Sequence, residues 1–314
     1  MRRGSQFLAS EVAELESILS RIPAANTLER FGFEQRLKSA QAALDQVRGG
    51  VEPERMQLTF RGLPVTGSQG IAAEFGGKAA VAFAEAFAAI VAGMKERLNF
   101  MGPIPEKARN RLLITGTAVG SFGFEFQLPQ LQPDLFSESG GAEEALERLL
   151  ALMQLSAQGS DDQIADIVAD VHPRAVRKVT EFLEYLLQNQ AWCGLEFKQD
   201  VFRYSDIDQL RWSRDRLGED NIREDRETFL GELQGVLPNG RTFEFKVSGD
   251  DRIIRGKVGL GIADPDILNR NWLHHAASLT LNVVQVGQSR PRFTLNDLQD
   301  IKDAGRARTA HAES

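Results

Sequence analysis

The segment from Ile71 to Leu98 constrains this chain more than any other, because it is dense in alanine yet carries Phe83, Phe87, Ile90, Val91 and Met94 as one bulky stripe. Apolar residues recurring three and four positions apart predict a helix, and alanine elsewhere lets neighbours approach it closely on more than one side. Such a helix belongs at the centre of a core. Its most apolar window, Ala79 to Met94, contains Glu85 and falls short of the roughly 20 residues that cross a bilayer, so a buried helix and no membrane partner are expected.

The flanking segments supply what would pack on it. Met56, Leu58 and Phe60 alternate with Gln57, Thr59 and Arg61 ahead of Gly62 and Pro64, the pattern of a half-buried strand entering a turn. Leu112 to Gly116 and Phe122 to Leu128 read as two further strands joined through Ala118 to Ser121. Phe122, Phe124 and Phe126 then share one sheet face and are expected to fill the space opposite the alanine-rich helix. After a Pro/Ser/Gly-rich stretch at 130–141, helices are predicted over Ala142–Ala157, Asp161–Val171 and Pro173–Gln190. A strand at Trp192–Phe202 and a short helix at Ser205–Leu217 follow.

At the N-terminus, Leu8, Val12, Leu15, Leu19 and Ile22 form one amphipathic stripe, and Phe33, Leu37, Ala40, Leu44 and Val47 form a second. Together they predict a helical hairpin, too short for a sustained coiled coil, that packs on the body or on another copy of itself. Towards the C-terminus, strands are predicted near Thr228–Leu237, Arg241–Val247, Arg252–Leu260, Leu279–Val286 and Pro291–Leu295. Asn239-Gly240 supplies a hairpin turn, and Asp264-Pro265-Asp266 opens a helix between the third and fourth strands. That order resembles an OB-fold, and an SH3-like barrel would leave a similar trace. The expected fold class is α+β: a helical hairpin over 1–50, a mixed α/β body with a helical insertion over 51–220, a small five-stranded barrel over 221–300, and a disordered tail over 301–314.

With 314 residues the chain can bury a core without covalent help, and its one cysteine, Cys193, excludes a disulfide framework and any multi-cysteine zinc site. Cys193 reads as a small buried hydrophobe on a strand. Acidic side chains outnumber basic ones 44 to 37, a formal charge of −7, which disfavours indiscriminate binding to nucleic acid or anionic membranes. Met1-Arg2-Arg3-Gly4 has the charge of a signal-peptide start, but Glu11, Glu14 and Glu16 interrupt the apolar stretch that should follow. The expected compartment is the cytoplasm.

The motifs that could carry chemistry are incomplete. Gly76-Gly77-Lys78 lacks the first glycine of a P-loop, at Ala72, and the hydroxyl after the lysine, at Ala79. Val119-Gly120-Ser121-Phe122-Gly123 approaches a nucleophile elbow, yet a strand and not a helix follows it. Asp162, Asp166 and Asp170 place three carboxylates on one helical face, a metal cluster or simply a solvated face beside Ile164, Ile167 and Val168. Glu196-Phe197-Lys198 and Glu244-Phe245-Lys246 supply the Glu-x-Lys half of a metal-dependent nuclease, without an assignable second acid. His274 and His275 are adjacent, so on a strand they cannot chelate one ion together. No cofactor, metal or catalytic residue is assigned.

Basic residues interleave with aromatics in the C-terminal strands: Arg241, Lys246, Arg252, Arg255, Lys257 and Arg292, with Phe243, Phe245 and Phe293. On a small barrel that combination suits single-stranded nucleic acid, although Glu232, Glu244, Asp250, Asp251, Asp264 and Asp266 dilute the field.

The arrangement over residues 56 to 295, a strand with a Gly-x-Pro turn, a long helix, the run Leu112 to Phe126 with Gly120-Ser121 at its centre, and a terminal small barrel, resembles uncharacterised bacterial proteins found near mobile elements and phage-defence genes. The resemblance implies an accessory or regulatory protein and carries over no catalytic residue. The expected function is non-catalytic binding or assembly, with a protein partner or a second copy of the chain, and Leu8, Val12, Leu15 and Leu19 as an exposed contact stripe. A metal-dependent nuclease or other hydrolase using Glu196 and Lys198, or nucleic-acid binding by the barrel, is the alternative.

Overall fold

Val12, Leu15 and Leu19 recur on one face of helix α1 (Arg2–Arg21), and all three are buried. Val12 and Leu15 pack with Ala40, Phe33 and Leu37 of the second helix, α2, which is helical over 30–38 and 40–41. Val12 and Leu15 of the expected contact stripe are therefore covered within the chain, because a second amphipathic helix packs on them. The structure, a computed structural model, describes residues 2–22, 30–38, 40–41, 54–95, 98–118, 122–129, 141–250 and 252–304, without the side chains of 2–9. Leu8 as a contact residue, the Ser121 turn, the 130–140 stretch and the tail from 305 lie outside that description. Met1–Glu54 forms one compact unit and Arg55–Ser314 another.

The fold is α+β. In the second unit, β1 (Arg55–Gly62) is the middle of a five-stranded antiparallel sheet of order β4-β5-β1-β6-β7. Its partners are β4 (Leu113–Thr117), β5 (Phe122–Gln127), β6 (Ala191–Phe197) and β7 (Asp200–Arg203), and β2 (Val65–Thr66) and β3 (Gly70–Ile71) form a small separate hairpin. The predicted single strand Trp192–Phe202 is two strands, because Lys198 adopts φ 53° and turns the chain.

Met56, Leu58 and Phe60 point inwards from β1 and are essentially inaccessible. They share one core with α3 (Ala73–Met94), where Phe60 meets Phe75 edge-on at 5.5 Å, and the helix's Phe83 stacks near Phe126 with ring centroids 6.0 Å apart and meets Phe182 edge-on at 5.5 Å. Such pairs add about 0.5–1.5 kcal/mol each beyond area burial. Phe126 is buried, and Phe122 and Phe124 are half-buried beside it. Helix α3 is longer than its apolar window and at 22 residues matches a bilayer span in length, but 67% of its most apolar stretch is buried in the protein, as in a core helix. Gly76 lies in its first turns, against Ile71 and Phe124, and serves packing. Helices α4 (Gly141–Gln158), α6 (Pro173–Gln188) and α7 (Ile207–Leu217) complete this core, and Cys193 is buried within it.

The remaining strands close on themselves. β8 (Ile222–Leu237), β9 (Thr242–Val247), β10 (Ile253–Val258), β12 (Arg292–Leu295) and β11 (Ala276–Val286) are neighbours in that order, and β11 pairs back to β8 along its length. The one parallel pair in this ring is β10 with β12, and helix α8 (Asp266–Trp272) stands between the third and fourth strands. A five-strand barrel with this order and helix position has the OB arrangement. Gly235, at φ 156° in the bulge between Leu233 and Gly235, lets the long first strand curl round the barrel. Phe243, Phe245, Leu279 and Leu281 fill its core. Part of the expected tail is ordered, since Ile301–Asp303 forms a short strand, β13, on β11.

Candidate functional site

Ser160 caps α5 (Asp161–Ala169) through a full capping box with Gln163, which sets the phase of a helix that carries both apolar and acidic rows. Ile164, Ala165 and Val168 are buried in the body. On the other side, α5 meets β11 and β12, and there Asp166 and Ala169 form one wall of a groove of about 560 Å³. The barrel supplies the rest from the end of β8 and from β9, β10 and β12, with Val236, Leu237, Gly256 and Phe293 giving an apolar lining.

Strand alternation explains which side chains reach this face. Phe243 and Phe245 point into the barrel, so Thr242, Glu244 and Lys246 point out. The register then sets Arg255 opposite Glu244, and Lys257 opposite both Thr242 and Thr294. Across the open face of the second and third strands, where OB barrels take extended ligands, Thr242, Lys257 and Thr294 form one row and Glu244 and Arg255 the next.

Each of the groove's three cations has an anionic partner. Arg255 donates to Glu244 at 2.8 Å, and Lys257 donates to both oxygens of Asp170 at 2.6 Å. Arg292 donates from Nε to Asp166 at 2.6 Å and from Nη2 to Asp162 at 3.0 Å. The loop before β12 adds backbone donors, Gln288 N–H to Asp161 at 3.1 Å and Arg290 N–H to Asp162 at 3.2 Å. Asp162 is held below the usual carboxylate range, first by the Arg290 N–H and then by Arg292, while Asp166 raises the Arg292 guanidinium.

The sequence-predicted basic set therefore divides. Arg255, Lys257 and Arg292 come together at the groove. Arg241 instead clamps the chain after β10, donating to the carbonyls of Val258 at 3.1 Å, Ile262 at 2.7 Å and Gly259. Arg252 lies 5.5 Å over the Phe229 ring and 3.7 Å from Asp250, and Lys246 stands one row beyond Glu244, opposite Glu232 and Ile253. The sequence pattern reveals the row Asp162, Asp166 and Asp170, but not that barrel cations answer it.

Among the described residues, Glu196 and Lys198 are engaged in separate ion pairs. Glu196 accepts from Arg203 at 3.3 Å, whereas Lys198, on the β6–β7 turn, reaches Glu143 and lies 3.7 Å from Glu147. Among the described residues no group of three or more His, Cys, Asp or Glu side chains is placed to hold a metal ion. His274 meets Glu232 at 3.1 Å and His275 meets the Asn271 carbonyl at 3.0 Å, so the two rings serve different contacts. Burial pushes the Cys193 thiol upward, away from a reactive thiolate.

The chain matches no family model, no curated protein and no solved structure.

Proposed function

We propose that this is a non-catalytic binding protein whose barrel holds an extended segment of a protein partner in the groove between α5 and strands β9, β10 and β12. Charge compensation at an apolar groove is the observation that carries the reading: Arg255, Lys257 and Arg292 are already paired, and Leu237, Val236, Ala169 and Phe293 supply an apolar lining. A groove of this size and character favours apolar side chains, with a few polar groups fixing direction. Glu244 and Arg255 at the rim, and Thr242 and Thr294 inside, suit the backbone and polar side chains of a peptide.

Single-stranded nucleic acid is a second reading, favoured by the OB order and by Arg255, whose side chain is 77% exposed. It requires Lys257 and Arg292 to leave their carboxylates.

A photo-cross-linking residue at Leu237, which is 69% exposed at the groove rim, tests the choice in cells. The expected product is a discrete polypeptide adduct, absent from the same residue placed at Trp212 on α7 and lost when Thr242→Trp fills the groove. Adducts to nucleic acid, or equal adducts from both positions, would reject the polypeptide reading.

A further inference from the structure

Helix α5 presents to the barrel what a polyanionic strand would present. Asp162, Asp166 and Asp170 stand one turn apart on one helical face, and their contacts are Arg292, Lys257 and the backbone N–H of Arg290. Asp161 adds the N–H of Gln288. Two cations and two backbone N–H groups at a loop are the kind of donors by which proteins hold phosphates. Here carboxylates of the same chain occupy them. The helix is not loosely placed, since Ile164, Ala165 and Val168 are 0%, 0% and 3% exposed in the body core.

We infer that Asp162, Asp166 and Asp170 are specificity-determining residues that exclude single-stranded nucleic acid from the barrel face and reserve the groove for a polypeptide segment. The inference rests on reading the groove as the ligand site. Selectivity between partners comes as much from repulsion of the wrong one as from attraction of the right one, and like charges set side by side repel strongly. A strand of phosphates approaching Lys257 and Arg292 meets three carboxylates that already hold those cations, on a helix whose opposite side is buried in the body.

The test uses the full chain and a fluorescein-labelled oligothymidylate of about 16 nucleotides, the upper end of what one OB barrel covers. Wild-type protein is expected to bind it weakly. The Asp162→Asn, Asp166→Asn, Asp170→Asn variant is expected to bind at least about tenfold more tightly, with the log–log salt slope steeper by roughly 0.7 per freed cation, about 1.4 in all. Adding Lys257→Ala and Arg292→Ala should abolish the gain. A control variant, Glu181→Gln, Glu184→Gln, Asp208→Asn, makes the same change in net charge on other helices. The inference is overturned if wild type binds as tightly as the triple variant, or if the control gains equally.

Should the triple variant fail to fold, Asp170→Asn alone frees Lys257 and should steepen the slope by about 0.7, and no gain there also overturns the inference. Because the probe is DNA, a gain in these variants without any polypeptide adduct at Leu237 would remove the proposed partner and keep the exclusion.

Discussion

Arg216 donates to Asp161 at 2.7 Å across the joint between α7 and α5, from a side chain only 10% exposed. The same guanidinium donates to the carbonyl of Gly159 at 2.7 Å, and the other oxygen of Asp161 accepts from Gln288 N–H. One carboxylate thus ties a body helix to the barrel loop. Removing one partner strands the other in a poorly solvated site, so Asp161→Asn is expected to cost about 1–3 kcal/mol, moderated because Asp161 keeps part of its surface in water. Arg216→Ala should cost more, since it also orphans the Gly159 carbonyl. Urea unfolding measures both, and an unchanged midpoint for Arg216→Ala would contradict a structural role for the pair.

His172 caps α6, its Nδ1 accepting from Arg174 N–H at 3.2 Å while its ring packs 4.9 Å from that of Phe100. Burial first, then Arg174 and Arg177, hold its pKa below the usual value of 6.5. The folded protein therefore binds this proton less readily than the unfolded chain. Its stabilising contribution is full above about pH 6.5 and is lost as pH falls through the lower folded value. Protonation also removes the acceptor that makes the cap. His172→Asn keeps a capping oxygen without a titrating ring, so its melting temperature should fall less than that of wild type between pH 7.5 and 5. Parallel curves would show that His172 does not set this dependence.

Gly256 sits on the groove floor, where a methyl would lie 2.5 Å from the Phe243 ring and 2.7 Å from the Phe293 carbonyl. The ring can move and the carbonyl cannot without disturbing β12. Gly256→Ala is therefore expected to destabilise by about 1–3 kcal/mol, and Phe243→Leu in the same chain should recover only part of that. Equal urea midpoints for Gly256→Ala and wild type would show that the barrel yields at this point.

The parts legible in the sequence are those whose periodicity is set by burial on one side. Phe83, Phe87 and Ile90 announce α3 because they are buried together in one core, and Phe243 and Phe245 announce β9 because they alternate into a barrel. The first half of β8 carries no such pattern. Ile222 to Glu227 is mostly charged, and it is a strand because β11 pairs with it throughout, from Val286 opposite Ile222 to Ala276 opposite Glu232. The β6–β7 turn is equally silent, since a lysine at positive φ replaces the usual glycine or asparagine. At the groove, sequence reveals an acidic row and a basic set, but the contact of Asp166 with Arg292 spans 126 positions. Local spacing cannot pair residues so far apart, so the carboxylates read as solvated and the cations as available.

The joint between α5 and the barrel should also be sensitive to acid. Asp161 is held below the usual carboxylate range chiefly by Arg216 and then by the Gln288 N–H, and Asp162 chiefly by the Arg290 N–H and then by Arg292. For a carboxylate with a depressed folded pKa, the unfolded chain takes up the proton first, so the stabilisation is complete above about pH 4 and disappears as pH falls through the folded value. Other carboxylates, Glu85 and Asp206 among them, are shifted the same way, so acid sensitivity alone does not isolate this joint. The difference between variants does. Asp161→Asn, Asp162→Asn should be less stable than wild type at pH 6 and lose less on going to about pH 2.5, so that the two urea midpoints converge in acid. Midpoints that stay equally far apart across that range would mean that the two carboxylates titrate alike in the folded and unfolded chain, and that their hydrogen bonds to the β11–β12 loop do not hold the barrel.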